Sequence, residues 1–295
     1  MSTHRLHILV IHNPVAGWRR RGKLRRVVRY LRLAGARVTE LETEAPGDAT
    51  GKARAAEDFD VIVVAGGDGT VNEVINGLGE NSLPVAFIPL GTTNVLAWEL
   101  GLPRSPHALA RVILEGRTRR VFPGIVNGRR FVLMVGVGLD AWAVERVHLG
   151  LKRYLGRLAY VGAVFSFSSL GTFRYGPYRV RANGEEFEAT SVVVTRSRRY
   201  AGPFVIAPEA DLGERFLTVV AVNLRGFANV VRYGAAVAFG RLDSLPDVKV
   251  VRATRVTVTG PEGDPVQGDG DLFERVPFKV SVDDKPIHLI VPGRQ

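Results

Sequence analysis

The 295-residue chain contains no cysteine. That single absence removes disulfides, thiolate nucleophiles, iron–sulfur clusters and cysteine-based zinc sites. It also lacks any run near the ~18 apolar residues of a spanning helix. Its most apolar stretches, Tyr160–Phe173 and Ala235–Gly240, are broken by Gly, Ser or Arg. The opening MSTHRLHILVIHNP holds one short apolar run ending at a proline turn, which reads as a first strand and not as a signal peptide. The expectation is a cytoplasmic protein. Acidic residues are also in deficit: 29 Asp and Glu stand against 40 Lys and Arg, a formal charge of +11. An excess of this size draws polyanions, whether nucleic acid, an anionic bilayer or a phosphorylated small molecule.

What the chain does have is organised in two halves. The first ~125 residues alternate strand-like and helix-like segments, the grammar of an open α/β sheet. Leu6–Ile11 reads as a strand, and Leu24, Val27, Val28 and Leu31 mark one face of a helix that Gly35 stops. Arg37–Leu41 (strand), Ala49–Asp58 (helix) and the continuously apolar Val61–Ala65 (strand) follow. Such apolarity suits a parallel sheet covered on both faces. Then come Val71–Leu78 (helix), Val85–Ile88 (strand), and the helices Asn94–Leu100 and Pro106–Glu115. From Val121 short runs rich in Val, Phe and Thr dominate: Phe131–Val135, Tyr178–Ala182, Ser191–Thr195, Leu217–Val222, Val248–Val258, Phe278–Val282 and His288–Val291. The turn pairs Asn127-Gly128 and Asn183-Gly184 are hairpin signals. Helix-like insertions at Trp142–Phe167 and Phe227–Phe239 interrupt a mostly antiparallel β domain. The division is 1–125 and 126–286, with 287–295 returning to the first domain.

Three polar or glycine-rich turns end strands of the first half. Gly66-Gly67-Asp68-Gly69-Thr70 opens a helix after the third strand, where backbone N–H groups and the helix dipole build an anion site. A carboxylate at Asp68 is unusual there unless a metal or a hydroxyl needs it. Gly91-Thr92-Thr93-Asn94 follows the fourth strand and serves either phosphate contact or helix capping. Asn13 to Gly17 ends the first strand. A dinucleotide fingerprint fails because Asn72 stands at its third glycine, and Gly47–Ala53 is no Walker loop. The protein-kinase signatures are missing as well.

Together these residues resemble the diacylglycerol-kinase catalytic family of lipid kinases, related to sphingosine and ceramide kinases. The likeness includes Asn13–Gly17, Gly66–Thr70 with Asn72-Glu73, Pro89–Asn94 with Gly101-Leu102-Pro103, Gly136–Ala141, Leu155–Tyr160 and Asp269-Gly270-Asp271. It implies an α/β nucleotide domain like that of NAD kinases and phosphofructokinases, a C-terminal β-sandwich for the lipid, and an active site in the groove between them. It implies Mg·ATP as phosphoryl donor, held by Asn13, Gly17, Thr43, Gly66–Thr70, Asn72, Glu73 and Gly91–Asn94. Asp271 matches the family's proton acceptor, with Glu shortened to Asp. Asp269 and Asp68 are the other catalytic candidates. The family's structural Mg²⁺ site falls on Asp211, Glu214 and Phe216, but Glu214 replaces an Asp and Arg215 a Gly, which puts that site in question.

The implied partners are a lipid alcohol and, by peripheral contact, the anionic inner membrane surface, with a homodimer open and no specific nucleic acid. Leu149–Phe173, basic then aromatic, reads equally as a lipid-touching surface or as a packed helix. The arginine-rich helix Arg19–Arg32 reads first as a solvated face, then as a membrane attractor. A kinase of a soluble acceptor such as NAD⁺, and an inactive nucleotide- or nucleic-acid-binding relative, are the competing readings.

Overall fold

The computed structural model describes residues 5–15, 21–79, 83–148, 176–224 and 226–293. Two compact units emerge: residues 1–121 with 285–295, and residues 122–284.

The first unit runs β1 (His7–His12), α1 (Arg21–Leu33), β2 (Arg37–Glu42), α2 (Asp48–Arg54), β3 (Val61–Gly66), α3 (Asp68–Gly77), β4 (Val85–Pro89), α4 (Val95–Glu99), α5 (Pro106–Glu115) and β5 (Thr118–Val121). Its sheet has the order β2-β1-β3-β4, then the C-terminal strand Ile287–Ile290, then β5. Strands β1 to β4 are parallel, and the C-terminal strand pairs parallel with β4 and antiparallel with β5. Every residue of β3 is buried, as its unbroken apolarity demands of a central strand covered on both faces. The helix face read from spacing is the observed one: Leu24, Val27, Val28 and Leu31 are buried beside Ile8, Val10, Val63 and Ile113. Ser105 caps α5 ahead of Pro106, and Gly116 ends it in the left-handed conformation.

The second unit comprises β6 (Gly124–Val126), β7 (Arg129–Phe131), β8 (Met134–Val137), α6 (Leu139–His148), β9 (Tyr178–Ala182), β10 (Glu185–Ala189), β11 (Ser191–Thr195), β12 (Arg199–Tyr200), β13 (Phe204–Val205) and β14 (Leu217–Val222). It continues with α7 (Gly226–Ala238), β15 (Lys249–Ala253), β16 (Arg255–Thr259), β17 (Pro265–Gly268), β18 (Asp271–Arg275) and β19 (Phe278–Val282). Two six-stranded sheets, β10-β9-β16-β19-β6-β7 and β15-β14-β11-β8-β17-β18, enclose a core that includes Val180, Val256 and Phe278 of one and Val194, Val219 and Val266 of the other. The sandwich is antiparallel throughout. Tyr178, Val180 and Ala182 point inward while Arg179 and Arg181 point out, the period-2 pattern of a half-covered strand.

The segment Val248–Val258, expected as one strand, is two strands in different sheets. Val251 and Ala253 are buried on odd positions, Val256 and Val258 on even ones, and the exposed pair Thr254-Arg255 lies at the change. A side-chain alternation that slips by one residue cannot keep facing one core from one sheet, so the chain turns the corner there.

Candidate active site

Strands β1 to β4 deliver their carboxyl ends to the same edge of the first unit's sheet. In open α/β sheets that edge is where ligands bind. Asn13 follows β1, its N–H bonded to Ala65 O at 3.0 Å and its side-chain oxygen accepting the Val15 N–H at 2.9 Å. Thr43 follows β2, is buried, and donates its N–H to His12 O at 2.9 Å. Gly66 to Thr70 joins β3 to α3, and Gly91 to Asn94 joins β4 to α4. The sequence-predicted nucleotide residues are therefore gathered along one rim. Gly17 lies outside the described residues.

The two glycine turns touch. Gly66 O accepts N–H groups from both Leu90 (2.8 Å) and Gly91 (3.0 Å). A Cβ on Gly91 would stand 2.7 Å from Gly67 Cα and 2.8 Å from Asn94 Oδ1, and one on Gly66 would stand 2.5 Å from Thr70 Oγ1. Real side chains do not fit at those distances, so glycine is required for the approach of the turns. Helix α3 opens at Gly67, which offers no side-chain cap to its first turn. Half-buried glycine backbone and a helix dipole of this kind suit a phosphate. Thr70 and Asn72 are buried; Glu73 is half-buried and its carbonyl accepts the Thr50 hydroxyl at 2.9 Å.

Asp68 has a use that spacing did not reveal. Its two carboxylate oxygens accept the N–H groups of Val95 (2.9 Å) and Leu96 (3.0 Å), the first residues of α4. Asn94, for which capping and phosphate contact were the two expectations, makes no cap bond, sits in the left-handed conformation, and donates its amide to Gly91 O at 2.7 Å. One helix's first residue thus caps another helix and ties the two turns together. The Asn94 Oδ1 is buried with no hydrogen-bond partner among the described residues. Thr92 is exposed and Thr93 half-buried beside it.

In the second unit, β17 and β18 form a tight hairpin in which Gly268 pairs with Asp271. Its two turn residues, Asp269 and Gly270, both have positive φ (51° and 91°), the type I′ geometry that favours Asp-Gly. Asp269 is buried, and its carboxylate accepts three backbone N–H groups: Val132 at 2.7 Å, Leu133 at 2.9 Å and Met134 at 3.0 Å. Asp271 is half-buried at the start of β18. Behind the hairpin, Gln267 accepts the Gly270 N–H at 3.0 Å and donates to Asp140 at 3.1 Å. Burial pushes the Asp140 carboxyl up to about 7, against the opposing hydrogen bonds of Gln267 and Ala141. Asp140 lies within the Gly136–Ala141 motif, but neighbours 127 residues away give it this environment, so sequence reading left it out of the site.

The loop expected to hold structural Mg²⁺ is occupied by other interactions. Asp211 accepts the Gly213 N–H at 2.6 Å, the Glu214 carboxylate pairs with Arg252, and Phe216 is exposed. Arg215 turns away to the Asp284 carbonyl at 3.2 Å and lies over the Phe122 ring. No cluster of three or more His, Asp or Glu suited to a metal occurs among the described residues. The stretch Leu149–Phe173 and the motif Leu155–Tyr160 lie outside the described residues. No described helix is long and apolar enough to cross a membrane.

Each of two stretches of the chain matches a known domain family. Residues 7–126 match the diacylglycerol kinase catalytic domain and residues 133–291 the YegS C-terminal NAD kinase beta sandwich-like domain. The diacylglycerol kinase of Bacillus subtilis (strain 168) is 29% identical over 291 residues, covering 96% of this chain and 95% of its own. That of Staphylococcus saprophyticus is 29% identical over 275 residues, covering 91% and 90%. A crystal structure of a diacylglycerol kinase from Bacillus anthracis str. Sterne superposes with a TM-score of 0.77 at 26% identity, covering 99% of both chains. Another from the same organism reaches 0.82 at 24% identity, covering 99% and 97%, and speaks for the fold alone. With both domain patterns present in order and full-length relatives on either side, this chain belongs to the diacylglycerol-kinase catalytic family.

Proposed function

We propose that the chain is an ATP-dependent lipid kinase that phosphorylates the hydroxyl of diacylglycerol or a similar lipid alcohol. The observation that carries this reading is the pair of touching glycine turns at the carboxyl edge of the sheet, in a chain of this family. The turns around Gly66 and Gly91 receive the phosphates of Mg·ATP, with α3 directing its N-terminus at their charge. Asn94 Oδ1 is an acceptor left for a donor from the nucleotide or a water.

Asp271 accepts the proton of the lipid hydroxyl as its oxygen bonds to the γ-phosphorus. The bond from that phosphorus to the bridging oxygen breaks, and ADP leaves. Mg²⁺ enters as part of the nucleotide substrate and neutralises charge on the phosphates. Asp269 is a positioning residue in this scheme. With three backbone N–H groups on its carboxylate, it holds the hairpin that presents Asp271. Membrane contact falls to α1. Arg25, Arg29 and Arg32 line a cavity of about 380 Å³ with Val28, Leu33 and Glu40, an arrangement suited to acidic headgroups at the inner membrane surface.

Transfer of labelled phosphate from Mg·ATP onto a panel of lipid alcohols in mixed micelles tests the proposal, with Asp271→Asn alongside. Label on a lipid class, lost in the variant, supports it. Label on NAD⁺ or another soluble acceptor, or none on any lipid, overturns it.

A further inference from the structure

Arg196 heads the large, fully buried side chains among the described residues. It follows β11, inside the second unit. Its Nε donates to Phe122 O at 2.9 Å, and its Nη2 to Leu212 O at 3.1 Å and to Glu214 O. The carboxylates of Asp211 and Glu214 add electrostatic support. A buried guanidinium is tolerated only where oxygens meet it, and here the Leu212 and Glu214 carbonyls of the loop and the Phe122 carbonyl do so. The Arg196 Nη1 is buried with no hydrogen-bond partner among the described residues. The Leu212 and Glu214 carbonyls of the loop both face this one guanidinium, so the chain supplies the positive charge they meet.

We propose that the Arg196 guanidinium is the resident cation of the 211–216 loop and that the loop takes no divalent metal. Mg²⁺ requires a near-octahedral shell of oxygens at about 2.1 Å. The Leu212 and Glu214 carbonyls are already bonded to a cation, Asp211 is committed to Gly213, and Glu214 to Arg252. A second cation there meets repulsion across a short, poorly screened distance. The side chain stands in for the ion with a charge that chelators cannot remove. This inference stands on the loop and does not rest on the kinase reading.

The test uses the full chain without nucleotide. Melting temperature is followed across millimolar MgCl₂ and EDTA, and bound metal is measured by elemental analysis after dialysis. The expected result is an unchanged melting temperature and no stoichiometric metal. Arg196→Met, which keeps volume but loses charge and donors, is expected to melt lower by on the order of 10 °C. A wild-type chain stabilised by Mg²⁺, or carrying a stoichiometric divalent ion, overturns the proposal, and so does an Arg196→Met variant that melts like wild type. The wild-type arm decides even if the variant fails to fold.

Discussion

Two aspartates, two residues apart, are expected to fail in opposite ways. Asp269 accepts three N–H groups from Val132, Leu133 and Met134 and is 8% exposed, so Asp269→Ala strands three donors in a buried place. Each stranded donor costs roughly 1–3 kcal/mol, and shared relaxation brings the total to about 4 kcal/mol. At roughly 2–4 °C per kcal/mol for a unit of this size, the melting temperature should fall by about 8–16 °C. Asn at 269 tolerates the left-handed backbone and keeps one acceptor oxygen for Leu133 and Met134, but turns an amine on Val132 N–H. Its loss should be roughly half as large. Asp271→Asn, half-buried at a strand start, should melt near wild type and lose phosphoryl transfer. Differential scanning calorimetry paired with transfer assays well below the transition separates the two. Asp269→Ala melting within about 2 °C of wild type would refute the clamp, since even one stranded donor costs more than that.

Three further outcomes follow from the geometry. Gly91→Ala must push its Cβ into Gly67 Cα, and KM for ATP should rise at least about tenfold while Gly79→Ala, with open space around it, changes nothing; ATP titrations read both. Asp140 keeps its proton up to about pH 7 when folded but loses it near 3.8 when unfolded. Its contribution to stability therefore falls as pH rises from about 4 to 7 and is flat above; urea melts should show Asp140→Asn more stable relative to wild type at pH 8 than at pH 4 by on the order of a few kcal/mol. Reversing Arg25, Arg29 and Arg32 to Glu should abolish co-sedimentation with anionic vesicles and leave the melting temperature nearly unchanged, whereas unchanged co-sedimentation would remove α1 as the membrane contact.

Local pattern was enough for much of the fold. Leu24, Val27, Val28 and Leu31 could only be one buried helix face, and Val61–Ala65 only a central strand, because burial period follows backbone period. The hairpins at Asn127-Gly128 and Asn183-Gly184 were legible since few residue pairs tolerate positive φ twice in succession. The glycine turns that mark the nucleotide rim were readable for the same reason: their chemistry resides in a handful of adjacent residues.

What the sequence could not decide were partnerships across long separations. Asp68 looked like a ligand for a metal or hydroxyl until α4, 27 residues on, laid two N–H groups on it. Thr254 looked like the interior of a strand until the two sheets pulled its flanks apart. Asp140 owes its raised carboxyl to burial beside Gln267, and Arg196 its burial to carbonyls 16 to 74 residues away. Propensity and period are properties of neighbours along the chain and can be read from it. Desolvation, hydrogen-bond satisfaction and charge pairing are properties of neighbours in space, and only the folded structure supplies those.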